Sequence, residues 1–165
     1  MGVPVALQSA ATWWAVYYAD HQFASLTVRY LHLAALLVGG GTALAIDRQV
    51  LASAWRGDTA GREAALASLR GSHAVVVPAL ALVAVTGALM ALADWSTFVE
   101  SSVFWNKMAA VGLLFANGAG LVAAERAFAR RGETAAWRRL LAASGASFVL
   151  WLLILWLGAW LTVAA

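Results

Sequence analysis

The chain contains no cysteine. That removes disulfides, Cys-based metal sites, iron–sulfur clusters and covalent haem attachment through a CxxCH motif, and it leaves the redox compartment undetermined. Charge is scarce as well: 12% of the 165 residues are charged against 63% hydrophobic. A soluble domain of this length needs more charge to stay dispersed, so the composition is that of an integral membrane protein. The formal net charge of +3 is carried by arginines between apolar runs and calls for no nucleic-acid partner. Met1 to Gln8 carries no basic side chain, so this stretch does not resemble a cleavable secretory signal.

What is present is long apolar runs. About 20 residues cross a bilayer core as helix, and four segments reach that length: Ser25–Ile46, His73–Trp95, Phe104–Ala124 and Leu140–Val163. Of eleven Lys and Arg residues, Arg48, Arg56, Arg62 and Arg70 fall between the first and second runs. Arg126, Arg130, Arg131, Arg138 and Arg139 fall about the link between the third and fourth. Cytoplasmic loops collect positive charge, so both arginine-rich segments are assigned to the cytoplasm. The basic-free link from Ser96 to Val103 and both termini are then outside, in a membrane of the bacterial inner type. The expectation is an all-α membrane protein, a four-transmembrane-helix up-down bundle. It forms one domain over residues 1–165, with residues 1–24 as an outer segment.

Within that segment, Trp13, Trp14, Tyr17, Tyr18, Asp20 and His21 favour the headgroup boundary, where rings are half buried and polar atoms stay wet. A short interfacial helix is expected there; a fifth span, which would move the N-terminus inside, is the alternative. In the loop from Asp47 to Ser72 the first span is expected to continue as helix to about Trp55. A second helical piece follows at Ala60–Leu69, with Gly57 and Gly61 as breaks. Small residues (Gly39, Gly40 and Gly41; Gly112, Gly118 and Gly120; Ser144, Gly145 and Ser147) mark helix contact faces. Asn117 is expected to hydrogen-bond a neighbouring helix. Trp151, Trp156 and Trp160 among leucines give the fourth span a face turned to lipid, to a second copy or to a membrane partner.

Two cations break the charge pattern. Arg29 and Lys107 lie toward the outer end of the first and third spans, where a cation near lipid costs a few kcal/mol unless compensated. His32 is one turn beyond Arg29, on the same helix face, roughly 10 Å below the outer boundary at the α-helical rise. A histidine and two cations at one depth on two helices are the candidate site. Separately, Arg29 and Lys107 can snorkel to headgroups, and His32 can simply bond a neighbouring helix. His73 opens the second span at the cytoplasmic end. Axial ligands of one iron stand about 4 Å apart, given metal–nitrogen bonds near 2 Å, so His32 and His73 are too distant to share a haem. His21 belongs to the outer segment.

The stretches RYLHLAALLVGGGTALAIDR, VVVPALALVAVTGALM and FWNKMAAVGLLFANGAG resemble the four-helix membrane proteins of the copper-resistance D type and the HemJ-type protoporphyrinogen oxidases. The matching positions are His32, Arg48, Pro78, Gly87 and Lys107, and the resemblance covers about residues 29 to 120. It implies that the His and Lys are functional residues and that the protein is associated with haem b, or, in the copper-resistance type, with copper uptake. A further histidine of the HemJ-type pattern, on the helix carrying the Lys, is missing. Soft ligands for copper are limited to Met1, Met90 and Met108, where Cu(I) prefers thiolate and thioether.

The leading expectation is a redox or electron-transfer protein holding a b-type haem or related tetrapyrrole near the outer leaflet. His32 would be the axial ligand, Arg29 a propionate partner, and Lys107 a second ligand or electrostatic partner. A copper-resistance-type metal transport protein and a non-catalytic membrane subunit are the alternatives.

Overall fold

The structure is a computed structural model that describes residues 5–57, 59–131 and 134–164. The described residues form seven α-helices: α1 Val5–Asp20, α2 Gln22–Ala35, α3 Gly41–Arg56, α4 Thr59–Ala93, α5 Trp95–Glu100, α6 Ser102–Arg131 and α7 Thr134–Ala164. A π-helical turn, Leu36–Gly40, joins α2 to α3, so the two form one rod, Gln22–Arg56, which with α4, α6 and α7 makes four helices long and apolar enough to cross a membrane. The architecture is that of an integral membrane protein, all-α, with an additional N-terminal helix.

The extramembrane ends of the rods are longer helix than the apolar runs require. The expected break at Gly61 is absent, and Thr59–Ala93 is one continuous helix that also contains Pro78. Gly57 alone ends the first rod: it adopts φ +68°, and its N–H donates to the Ser53 carbonyl at 3.1 Å. That left-handed cap favours glycine because no Cβ clashes there.

Helix α1 does more than lie at a boundary, for it packs against α4. The Trp14 indole N–H donates to the Leu89 carbonyl at 2.8 Å, and Tyr18 donates to the Ser25 carbonyl at 3.4 Å. Trp13, Tyr17 and His21 stack along its other face, with ring centroids 5.3 and 4.0 Å apart.

The glycine pair of the π-turn fixes how the first rod sits. A Cβ on Gly39 would stand 2.5 Å from the Ala79 Cβ, and one on Gly40 would stand 3.0 Å from the Trp151 ring. The rod is therefore pinched between α4 and α7 where its own helix is widened. Of the other small residues expected at contact faces, Ser144 and Ser147 are buried, whereas Gly41 has open space beside it. Gly112, Gly118, Gly120 and Gly145 face open space, so they do not mark tight contacts. Trp151 is buried at 3%, turned from the lipid or partner face expected for it; Trp156 and Trp160 are exposed.

Two apolar clusters form the core. One, around Phe104, Leu114, Trp151 and Ile154, fills the half of the bundle away from the arginines. The other, around Val50, Leu66, Trp137 and Leu140, fills the arginine-rich half.

Candidate functional site

The site is built from α4 outward. Thr86, 2% exposed, lies within an apolar helix, and its hydroxyl donates back to the Leu82 carbonyl at 2.6 Å, with the Val83 carbonyl at 3.2 Å. Such i−4 bonding is the usual way a threonine satisfies its hydroxyl in mid-helix. The hydroxyl has one proton, which leaves its oxygen lone pairs as acceptors. His32 of α2 uses that oxygen: its Nδ1 stands 2.9 Å from Thr86 Oγ1. With the hydroxyl proton on the Leu82 carbonyl, a neutral imidazole donates from Nδ1, the tautomer that leaves Nε2 with a bare lone pair.

The next residue on α4 makes room for the ring. A Cβ on Gly87 would stand 3.3 Å from His32 Cε1, closer than packing ordinarily allows. His32 is buried at 8% exposure.

Lys107 of α6 is half-buried, and its side chain runs to Gly158 of α7, where a Cβ would meet Nζ at 3.5 Å. It belongs to the same arginine-poor half as His32, on a different helix. The ion pairs found among the described residues are Arg70–Glu125 and His73–Glu125, and neither involves Lys107. A buried histidine and a half-buried lysine, each opposite a glycine, thus share one region of the arginine-poor half.

Arg29 is not part of that grouping. It is exposed, and its Nε donates to the Tyr18 hydroxyl at 3.4 Å, tying α2 to α1. His21 stacks on Tyr17, with its Nδ1 3.0 Å from the Tyr17 carbonyl. His73 shares α4 with Thr86, but the helical rise separates the two by about 20 Å, and it lies beside Glu125 at 3.9 Å. Asn117 donates to the Ala143 carbonyl at 2.8 Å, an interhelical bond between α6 and α7.

Three polar residues that sequence reasoning missed belong to the interior: Thr86, Asp47 and Glu125, at 2%, 2% and 6% exposure. The threonine sits in the quoted stretch VVVPALALVAVTGALM beside Gly87, and a Thr-Gly pair in an apolar helix was the available signal. Asp47 stands next to Arg48 at the apparent end of a span, where an acid ordinarily faces water.

Among the described residues no group of three or more His, Cys, Asp or Glu side chains is placed to hold a metal ion. One groove of about 500 Å³ is lined by Arg48, Leu51, Ala52, Trp55, Arg56 and Phe148. Another, of about 360 Å³, lies between α6 and α7 near Ala124 and Arg139. Both belong to the arginine-rich half, away from His32. Compared with family models, with curated proteins and with solved structures, the chain matches none.

Proposed function

We propose that the His32 region is the working centre of a membrane-embedded redox or electron-transfer protein, with a b-type haem or related tetrapyrrole as the group it holds. The observation that carries this reading is the fixed imidazole. A histidine ligand needs its far nitrogen free and its near nitrogen anchored by a second hydrogen bond, which sets the tautomer and the ring orientation. Thr86 supplies that anchor, and Nε2 is the nitrogen left to coordinate.

The donor set fits such a group in two respects. Nε2 offers a lone pair without a proton. Lys107 offers a positive charge with no carboxylate beside it among the described residues, suited to an anionic substituent. The space is narrow, since the imidazole is buried and the open grooves lie elsewhere; a macrocycle would require the helices around His32 to part. A b-type haem supplies one-electron transfer when bound, and the protein tunes it by ligand, burial and nearby charge. Arg29, at the surface against Tyr18, meets carboxylates or headgroups there. In this reading the arginine-rich turns face the cytoplasm, both termini lie outside, and the membrane is the bacterial inner membrane.

The visible spectrum of the purified full chain tests the proposal. A Soret band that disappears in His32→Ala and persists in His73→Ala supports it. Protein that neither carries haem nor takes up added haem overturns it, and bound copper found by metal analysis in place of haem turns the assignment to metal handling.

A further inference from the structure

Asp47 lies where the two apolar clusters meet. On its own rod, Leu44 packs against one cluster and Val50 belongs to the other. The carboxylate is 2% exposed, and Ser144 and Ser147 on α7 are buried at 0% and 8%; Gly40 against Trp151 and Val50 clustered with Leu140 set the antiparallel register that brings this stretch of α7 opposite Asp47. The fit is incomplete. Asp47 Oδ2 and Ser144 Oγ are fully enclosed, yet neither has a hydrogen-bond partner.

An ionised carboxylate in such a place costs several kcal/mol without a compensating charge. The cations of the arginine-rich half are turned to other groups, although Arg62 Nε is itself enclosed without a hydrogen-bond partner. Arg48 is exposed along the groove with Trp55 and Phe148; Arg62 lies over the Trp137 ring at 4.6 Å; Arg70 and His73 face Glu125. What faces Asp47 from α7 is the two serine hydroxyls, each of which can accept as well as donate.

We propose that Asp47, Ser144 and Ser147 form a buried oxygen-donor site for one monovalent cation, supplied either as a proton with its water or as an alkali ion. Two enclosed oxygens without partners are the contacts a guest would use, and a water or small ion needs two to four polar partners, roughly the number available. The charge of the carboxylate sets the sign of the guest. One carboxylate among three oxygens balances a single positive charge, and a divalent ion would be left with a net charge in a buried place. The site is some 22 Å along the first rod from His32 by helical rise, and it stands independently of the haem reading.

Infrared spectroscopy of the full chain in lipid vesicles tests it, in sodium, potassium and choline buffers at fixed pH. A carboxylic-acid band that is lost in Asp47→Asn and indifferent to the buffer cation assigns the guest as a proton. A band that vanishes when sodium or potassium replaces choline, with a matching rise in the unfolding midpoint, assigns an alkali ion. Ser144→Ala keeps the charge and removes one donor, so it should shift the band or weaken the ion response several-fold; this variant carries the test if Asp47→Asn fails to fold. No band assignable to Asp47 and no cation-dependent midpoint overturns the proposal, as does a Ser144→Ala protein indistinguishable from the parent. Haem content enters none of these readouts.

Discussion

His32 Nδ1 and Thr86 Oγ1 stand 2.9 Å apart, and the proton of that hydroxyl is committed to the Leu82 carbonyl at 2.6 Å. Together the two bonds make a short polar chain from the backbone of α4 to a side chain of α2. Its direction is set at the backbone end, because a carbonyl only accepts. Every step outward then has a defined donor, and the last atom of the chain, Nε2, is an acceptor. A packing histidine needs no such direction, whereas a ligand or proton acceptor does.

Thr86→Val therefore separates these roles. It preserves shape but leaves a buried imidazole N–H without a partner, which costs about 1–3 kcal/mol. If His32 coordinates haem, affinity should also fall about 10–100-fold, as when the outer partner of a ligand histidine is lost. Thr86→Ser should restore both quantities, since serine supplies the same oxygen. Denaturant unfolding and haem titration of the three proteins measure the two effects separately. Equal haem affinity in all three would leave Thr86 with a packing role alone.

The contact between Gly39 and Ala79 gives a reciprocal test of how the first rod meets α4. A Cβ at position 39 would lie 2.5 Å from the Ala79 Cβ, and neither helix backbone can yield as a flexible side chain would. Gly39→Ala is expected to cost about 1–3 kcal/mol, the range for overpacking a filled interior. Ala79→Gly in the same chain removes the opposing methyl and should recover most of the loss. Unfolding midpoints of the two single variants and the double variant close the cycle; additive losses would mean that the helices do not meet at this point.

The helices themselves were legible in the sequence because a bilayer demands long apolar runs, and those runs are unambiguous here. That His32 and Lys107 lie in the same half of the bundle was legible too, since helical rise places them at a similar depth on different helices. The inward orientation of Asp47 was not. Its helix is apolar on most sides, so periodicity does not reveal which face turns to α7, and an acid beside Arg48 reads as a boundary residue. The burial follows from tertiary packing, where Ser144 and Ser147 sit opposite. Arg29 illustrates the reverse case. Its spacing from His32 suggested a shared face, but a three-residue step is 60° short of a full turn, enough to put one side chain inside and the other on Tyr18. The π-turn has no sequence signal beyond its glycines; only the squeeze between Ala79 and Trp151 gives it a reason.

Orientation in the membrane follows from the proposed cytoplasmic placement of the arginines, and the absence of native cysteine makes it simple to probe. Ser96 in α5 and Thr134 at the start of α7 are both exposed and lie at opposite ends of the bundle. Ser96→Cys should react with an impermeant thiol reagent in intact cells, and Thr134→Cys only after permeabilisation. The opposite pattern would invert the bundle and move the His32 region to the cytoplasmic half.

The Arg70–Glu125 pair yields an asymmetric prediction. The guanidinium donates to Glu125 Oε1 at 3.1 Å, with the arginine side chain 56% exposed and the glutamate side chain only 8%. An exposed ion pair contributes little, since water solvates the freed partner, so Glu125→Gln, which keeps an acceptor and releases an arginine already half in solvent, should cost under about 1 kcal/mol. Arg70→Ala is different, because the carboxylate stays enclosed with His73 at 3.9 Å as its remaining basic neighbour. Breaking a fully buried pair costs about 3–5 kcal/mol; with one partner half exposed, about 1–3 kcal/mol is expected. Arg70→Ala should also be rescued in the Glu125→Gln background, where no charge is left stranded. Unfolding free energies of the two single variants and the double variant decide the matter. Equal losses for the single variants, or no rescue in the double, would mean that Glu125 is satisfied by something other than Arg70.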